Sequence, residues 1–207
     1  VNMVLMVLAA YPLSLPDNKF RAGRYYKWFL LANMLFNGGL IPMFTLMKQY
    51  ELFDSFWALI LPSAVHIWNV IMMINFFRNV PYDLHEAATI DGASPVQIMC
   101  KIYIPLSIPS LACMLLMYFV FHWNAYFDGL VYINDATKQP LQTYIYQISA
   151  TIDYKGMTSE EVMEMMKLSN KSFNAAKVML ALIPILCIYP ILQKYFVSGM
   201  TLGGVKE

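Results

Sequence analysis

Few side chains in this sequence could perform chemistry, and their spacing does not form a reaction centre. His66, His85 and His122 are not spaced as metal ligands, and no Ser–His–Asp set accompanies them. No glycine is followed by Lys and then Ser or Thr, so the phosphate-binding GxxxxGK(S/T) loop of an ATPase is missing from the sequence. The sequence therefore predicts a protein that is not an enzyme and binds no metal or other cofactor itself.

The most informative segment lies between residues 78 and 109 and reads RNVPYDLHEAATIDGASPVQIMCKIYIPLSIP. Pro81 can occupy the first position of a helix. Asp83 and Glu86 then fall near the helix start, where the helix dipole favours anions. Gly92 suits the left-handed conformation that commonly ends a helix. The segment therefore predicts a short helix followed by a glycine turn.

A second short helix is predicted directly after that turn. Ser94 can cap it, and Gln97 has the spacing that completes a capping box. On the first helix Ala87 and Ala88 have little bulk, so another surface can approach the backbone closely. Two short helices with a small-residue notch and a nearby carboxylate predict a docking device for a soluble partner within residues 78–105.

The remainder of the chain has the composition of a membrane protein. Of its 207 residues, 59% are hydrophobic and 13% are charged, whereas soluble domains contain about 25% charged residues. A formal net charge of +1 excludes a nucleic-acid binder, which needs a basic surface. Three widely separated cysteines without CxxC spacing predict reduced, buried side chains, at Cys100, Cys113 and Cys187.

Five apolar stretches predict an all-α membrane protein, a polytopic helical bundle with five visible spans. A span needs about 20 mostly apolar residues. The stretches free of Asp, Glu, Lys and Arg are 1–16, 28–47, 57–77, 102–127 and 178–193. Because Val1 is preceded by neither a Met nor a charged region, we expect the chain to begin inside a span, with an earlier span missing.

Helix-breaking residues interrupt several of these stretches and favour a bundle that bends. Proline in a membrane helix frees a backbone carbonyl and kinks the helix. The interrupting residues are Gly38, Gly39, Pro42, Pro62, Pro105, Pro109, Pro184 and Pro190. Harmless kinks in a packed bundle are the alternative interpretation of each single one.

Basic residues predict the orientation, because Lys and Arg concentrate in cytoplasmic loops. Their distribution places 16–27, 78–101 and the carboxyl terminus in the cytoplasm, and 132–176 outside. Within the outer loop, Thr158 and Glu161 have capping-box spacing and predict a short helix. That helix is interpreted either as a docking surface for an extracellular solute-binding protein or as a helix packed on the protein's own outer face.

Polar side chains inside the spans leave two interpretations open. They can line a translocation path, or they can form hydrogen bonds between helices. The possible path-lining residues are Asn33, Asn37, His66, Asn69 and Asn124. No carboxylate lies deep in a span, although a proton- or sodium-coupled carrier usually needs one. This argues against self-powered transport.

The loop then matches a known motif. Glu86, Ala87 and Ala88, Gly92, nine further residues, and Ile102 with Pro105 resemble the EAA loop of permease subunits of binding-protein-dependent ABC importers. Ile104 departs from the pattern, which has Leu there. The run EAATIDGASP and the ending QKYFVSGMTLGGVKE are similar to the carbohydrate-uptake branch, of the maltose-permease type, whose members usually have six core spans.

This resemblance implies roles for particular residues. The expected ATPase-coupling residues are Glu86, Ala87, Ala88, Asp91, Gly92 and Ala93. Gly203 and Gly204, in the tail 198–207, match a segment that reaches toward the ATPase dimer in similar permeases.

The resemblance also implies the partners and the location. The expected partners are a second homologous permease, two ATPase subunits that carry ATP and Mg, an extracellular solute-binding protein and membrane lipid. The expected location is the bacterial cell membrane, with a cytoplasmic carboxyl terminus and with 1–207 as one transmembrane domain. The alternatives are a secondary carrier or channel without an ATPase, and an integral-membrane enzyme, for which no reactive cluster is found.

Overall fold

The computed structural model describes residues 1–36, 38–150, 175–190 and 193, with the side chains of 148–150 left aside. Every regular element in these ranges is helical, which confirms the all-α prediction. The α-helices are α1 Asn2–Ser14, α2 Gly23–Leu35, α3 Leu40–Gln49, α4 Phe56–Ile60, α5 Ile67–Arg78, α6 Tyr82–Ile90, α7 Pro95–Ile98, α8 Ile104–Leu106, α9 Ile108–Trp123, α10 Phe127–Tyr132, α11 Leu141–Ala150 and α12 Ala175–Pro190. A π-helical turn, Met99–Tyr103, joins α7 to α8, and 3-10 turns cover Leu61–Ser63 and Ala136–Lys138.

The apolar stretches are divided among shorter helices. In the described ranges no single helix is both long and apolar enough to cross a bilayer, but three bent helix pairs meet those criteria together. They are Gly23–Leu35 with Leu40–Gln49, Phe56–Ser63 with Ile67–Arg78, and Pro95–Leu106 with Ile108–Trp123. The second pair bends by 55° and the third by 83°. Three of the five predicted spans, 28–47, 57–77 and 102–127, therefore fall on bent helix pairs. The stretches 1–16 and 178–193 fall on the shorter apolar helices α1 and α12.

Most of the breaks fall beside the residues that predicted them. The 83° bend lies at Ser107, between Pro105 and Pro109, and the 55° bend follows Pro62. Gly39 has φ 84°, a left-handed value that only glycine adopts readily, and α3 begins directly after it. By contrast, α12 continues through Pro184, which fits the alternative interpretation of a proline that does not end its helix.

The core forms where α1 packs along α5. Met6 and Ala10 of α1 and Val70, Met73 and Phe77 of α5 are at most 1% exposed. Tyr11 meets Tyr103 edge to face, with ring centroids 5.0 Å apart, which joins this core to the π-helical turn. Because that turn leads directly from α7, the core contacts the base of the loop at residues 78–105.

Beyond the carboxyl end of α3, the Asp54 carboxylate joins two loops by hydrogen bonds. The Asp54 carboxylate accepts the backbone N–H of Asn134 at 2.5 Å and of Asp135 at 2.9 Å. Lys138 Nζ donates to the Asp54 carbonyl at 3.2 Å. These contacts, led by the Asp135 N–H, lower the pKa of the Asp54 carboxyl. The loop after α3 is thereby fixed to the segment after α10.

The cysteine prediction is wrong in one respect. Cys100 and Cys187 are exposed and Cys113 is half-buried, although all three are free as expected. The predicted helix at Thr158 and Glu161 lies outside the described residues, as does most of 132–176.

Candidate functional site

The loop at residues 78–105 forms a helical hairpin. The first helix, α6, begins at Tyr82, with Pro81 as its cap rather than as its first residue. Asp83 lies in its first turn, where the helix dipole favours a negative charge. The predicted short helix is therefore confirmed, displaced by one residue.

Gly92 ends α6 by the geometry that the sequence predicts. Its φ is 79°, in the left-handed region that favours glycine. The Gly92 N–H donates to the Thr89 carbonyl at 3.1 Å, and the Ala93 N–H donates to the Ala88 carbonyl at 2.9 Å. This pair of hydrogen bonds is a Schellman motif. The turn consequently fixes the direction in which α7 leaves α6.

The second helix begins with the predicted capping box. Ser94 Oγ accepts the Gln97 N–H at 3.3 Å, and Gln97 Oε1 accepts the Ser94 N–H at 2.8 Å. Ile98 and Met99 then turn into the core, with 3% and 7% exposure. The far arm of the hairpin is therefore anchored in the membrane domain.

The predicted coupling residues divide into an outward group and an inward group. The outward group is exposed and contains Glu86, Ala87, Asp91 and Gly92. Ala88 and Ala93 are half-buried and pack against the core. Within the described ranges Glu86 forms no hydrogen bond or ion pair of its own, so its carboxylate remains accessible to a partner.

Exposed apolar side chains lie beside Glu86 on the same hairpin. Ile90 is 85% exposed, Val96 is 65% exposed and Leu84 is 44% exposed. Val96 therefore faces away from the core, whereas Ile98 and Met99 turn into it. An outward carboxylate beside outward apolar side chains is the composition of a protein-docking surface.

His85 connects the hairpin to the core, a role that the sequence analysis did not assign to it. Its ring stacks on Tyr82 at 5.1 Å and meets Tyr103 edge to face at 5.9 Å. Burial chiefly lowers the pKa of His85, Lys19 lowers it further, and Glu86 acts in the opposite direction. Its position next to Glu86 was visible in the sequence, but the contact with Tyr103 depends on tertiary packing.

The possible path-lining residues that the structure describes differ in their burial and in their contacts. Asn33 is exposed and donates to the Phe29 carbonyl of its own helix at 2.9 Å. Asn69 is buried, whereas His66 is half-buried with its ring 5.3 Å from that of Phe121. Asn124 is exposed and lines a cavity of about 450 Å³ with Phe121, Tyr126, Phe127 and Asp128. Asn37 lies outside the described residues.

A polar contact inside the bundle was missed in the sequence. The Asn2 amide nitrogen donates to the Ser63 carbonyl at 2.9 Å and lies 2.9 Å from His122 Nε2. Asn2, His122 and Asp128 line a cavity of about 420 Å³, together with Phe56 and Lys138. Asn2 is an amide at the end of an apolar run, and that was the available signal. No group of three or more potential metal ligands occurs in the part of the chain that the structure describes.

Comparison with known proteins identifies the relatives of this chain. The family described as "Binding-protein-dependent transport system inner membrane component" matches residues 3–202. The chain is 42% identical over 210 residues to the polygalacturonan/rhamnogalacturonan transport system permease protein YtcP of Bacillus subtilis, covering 100% of this chain and 71% of that protein. It is 38% identical over 206 residues to the protein LplC of the same organism, covering 100% of this chain and 69% of LplC.

A solved structure has the same fold. It is the crystal structure of a bacterial ABC transporter involved in the import of the acidic polysaccharide alginate. The TM-score is 0.78 at 32% sequence identity, over 94% of this chain and 69% of that chain. The broken helices described above therefore belong to a fold that experiment has observed.

Proposed function

Because the chain belongs to the family of inner-membrane components of binding-protein-dependent transport systems, we propose that it is a transmembrane permease subunit of an ATP-driven importer. Its cargo in this proposal is a carbohydrate, most simply an oligosaccharide. The observation that carries the proposal is the hairpin of α6 and α7, which holds Glu86 outward while its base packs into the core.

The hairpin is the proposed contact with the ATPase subunit. Glu86 and the exposed side chains of Leu84 and Ile90 offer one charged and two apolar contacts. Ala87 leaves the helix backbone open to close approach, and the Gly92 turn keeps α6 at a fixed angle to α7. Asp91 lies at the same exposed end.

Movement of the hairpin would reach the membrane helices through two rigid contacts. His85 touches Tyr103 in the π-helical turn, and Ala88 and Ala93 pack on the buried cluster around Phe77. When ATP closes the ATPase dimer, displacement of α6 tilts the bent helix pairs. The translocation path between the helices then opens toward the outside of the cell instead of toward the cytoplasm. Hydrolysis of ATP restores the inward-open state.

The proposed path passes the cavities between the helices. Asn124 with Asp128, and Asn2 with His122, supply hydrogen-bonding groups beside the aromatic rings of Phe56 and Tyr126. Such a mixture suits a saccharide, which has both hydroxyl groups and apolar ring faces. Buried Asn69, together with Asn33, which is satisfied within its own helix, fits the alternative of structural hydrogen bonding.

Two relatives support an oligosaccharide as cargo. YtcP is named for polygalacturonan and rhamnogalacturonan, and the structural relative imports the acidic polysaccharide alginate. We therefore propose that fragments of an acidic polysaccharide are the first cargo to test. Titration of such fragments against the solute-binding protein of the system, with neutral fragments as the control, measures this directly.

The proposed assembly contains this chain, a second homologous permease, two ATPase subunits with ATP and Mg, and an extracellular solute-binding protein. Lipid or the second permease covers the exposed apolar faces of α2 and α12. In the proposed orientation, in a bacterial cell membrane, α6 and the carboxyl terminus lie in the cytoplasm. Gly203 and Gly204, which lie outside the described residues, are proposed to contact the ATPase. A carrier or channel without an ATPase is the second candidate, and the family description favours the first.

Charge reversal at Glu86 tests the proposal. We expect Glu86→Lys to abolish ATP-dependent uptake of the cargo while the protein still inserts in the membrane, because the exposed carboxylate is lost but no buried contact is. Glu51→Lys is the matched control, since Glu51 is also exposed and lies at the end of the molecule that contains the Asp54 contacts. Normal uptake by the Glu86 variant would overturn the assignment of the hairpin.

A further inference from the structure

A cavity that the proposed transport cycle does not use lies where α1 and α5 end and α6 begins. Its volume is about 390 Å³, and its lining includes Leu15, Lys27, Phe77, Arg78 and Tyr82. In the orientation proposed above, this is the level at which the helices leave the inner leaflet of the membrane.

The cavity carries an uncompensated positive charge. Asp17, the carboxylate in its lining, is bonded to Lys27 at 3.0 Å and lies 3.6 Å from Arg24. Arg78 has neither an ion pair nor a side-chain hydrogen bond among the residues that the structure describes. Its guanidinium is a planar donor that matches phosphate and carboxylate groups.

A buried hydroxyl group without a partner lies in the same lining. Tyr82 Oη is enclosed and makes no hydrogen bond to any described residue. The Tyr82 ring is held against His85 by stacking at 5.1 Å, so the hydroxyl position is fixed. A buried hydroxyl without a partner is costly, and an acceptor bound in the cavity would satisfy it.

Apart from Ser14 and Tyr103, the remaining lining is apolar, which indicates the kind of anion. Leu15, Pro16, Phe77 and Val80 form that part of the surface, next to the polar groups of Arg78, Lys27 and Tyr82. A free phosphate ion would gain nothing from the apolar part. A lipid presents phosphate beside glycerol and acyl carbons, and basic pockets between membrane helices bind such headgroups.

We propose that this cavity binds the phosphate of an anionic phospholipid headgroup. Arg78 supplies the charge-assisted hydrogen bonds, and the Tyr82 hydroxyl donates one more. The lipid would occupy the base of the hairpin, between the ends of α1 and α5. The inference depends on the proposed orientation but not on the identity of the cargo.

Native mass spectrometry of the full chain in detergent, titrated with phosphatidylglycerol, tests this proposal. We expect Arg78→Gln to weaken binding of the lipid by about tenfold, because a charge-assisted contact is lost. Tyr82→Phe should weaken it several-fold without altering the fold. Arg21→Gln is the matched control, since Arg21 is an exposed arginine of the neighbouring loop and does not line the cavity.

Three results would overturn the proposal. The first is an equal effect of the Arg78 and Arg21 variants on phosphatidylglycerol binding. The second is equal binding of inorganic phosphate and phosphatidylglycerol, which would identify a free anion as the ligand. The third is unchanged lipid binding by Arg78→Gln together with loss of the co-purifying ATPase, which would assign Arg78 to a protein partner. None of these outcomes depends on uptake, so failure here leaves the permease proposal intact.

Discussion

At the scale of single residues, some features of the hairpin could be predicted from neighbouring residues, whereas others depend on tertiary packing. Gly92, Ser94 and Gln97 were predicted correctly, because turn and cap geometry depend on neighbours within a few positions. The role of His85 was missed, because its contact with Tyr103 joins residues 18 positions apart in sequence. The positions of the span asparagines could not be predicted either, because periodicity does not reveal which neighbouring helix each one faces.

Substitution of Gly92 tests the turn. We expect Gly92→Ala to lower the free energy of unfolding by about 1 kcal/mol, because alanine is strained at φ 79°. Gly92→Asn should lower the free energy of unfolding by less, since asparagine tolerates the left-handed region. Thermal unfolding of the purified chain in detergent measures both. Equal stability of the alanine and asparagine variants would contradict the conformational explanation.

The burial of His85 predicts a dependence on pH. Its folded pKa lies below the usual 6.5, because the hairpin and Tyr103 enclose the ring and Lys19 lies nearby, despite the opposing charge of Glu86. The neutral ring therefore stabilises the fold fully above pH 6.5, and this contribution is lost as the pH falls through the folded pKa.

The melting temperature in detergent should accordingly decrease as the pH falls from about 7.5 to about 5.5. We expect His85→Gln to show a smaller decrease, since glutamine does not titrate. The same pH dependence in both proteins would show that other groups are responsible.

At the scale of elements, glycine and proline predicted where most helices break but not how far they bend. Pro105 and Pro109 enclose the 83° bend, whereas Pro184 leaves α12 continuous. The difference is physical, because a freed carbonyl in a membrane helix can be satisfied by neighbours that the sequence does not identify.

One close contact also escaped prediction, since Gly129 of α10 faces Thr143 of α11 without room for a side chain.

Gly129→Ala tests that contact. An added methyl group would overlap the Thr143 hydroxyl oxygen and lie 2.8 Å from Pro140 Cδ. Because Thr143 is fully buried and donates to the Tyr126 carbonyl at 2.8 Å, it has little freedom to move. We expect a loss of about 1–3 kcal/mol in the free energy of unfolding, measured by chemical denaturation in detergent. Adding Thr143→Ala should restore part of it, and strictly additive losses would contradict a direct clash.

At the scale of the whole molecule, composition and the spaced loop motif were sufficient to predict an all-α membrane protein and its family, which the family match confirms. They did not predict which outer faces meet partners. Ile90 and Val96 are exposed on the hairpin, and α2 and α12 are largely apolar and exposed. Burial of these surfaces depends on other chains and on lipid, whose arrangement a single sequence does not encode.

Affinity purification of the tagged chain from its native membrane in mild detergent, with mass spectrometry of the proteins that accompany it, tests the central claim most directly. The account predicts that an ATPase and a second permease co-purify with the wild type and with Glu51→Lys. With Glu86→Lys the ATPase should be lost while the second permease remains. If no ATPase accompanies the wild type, or if Glu86→Lys retains it in full, the hairpin is not the coupling element.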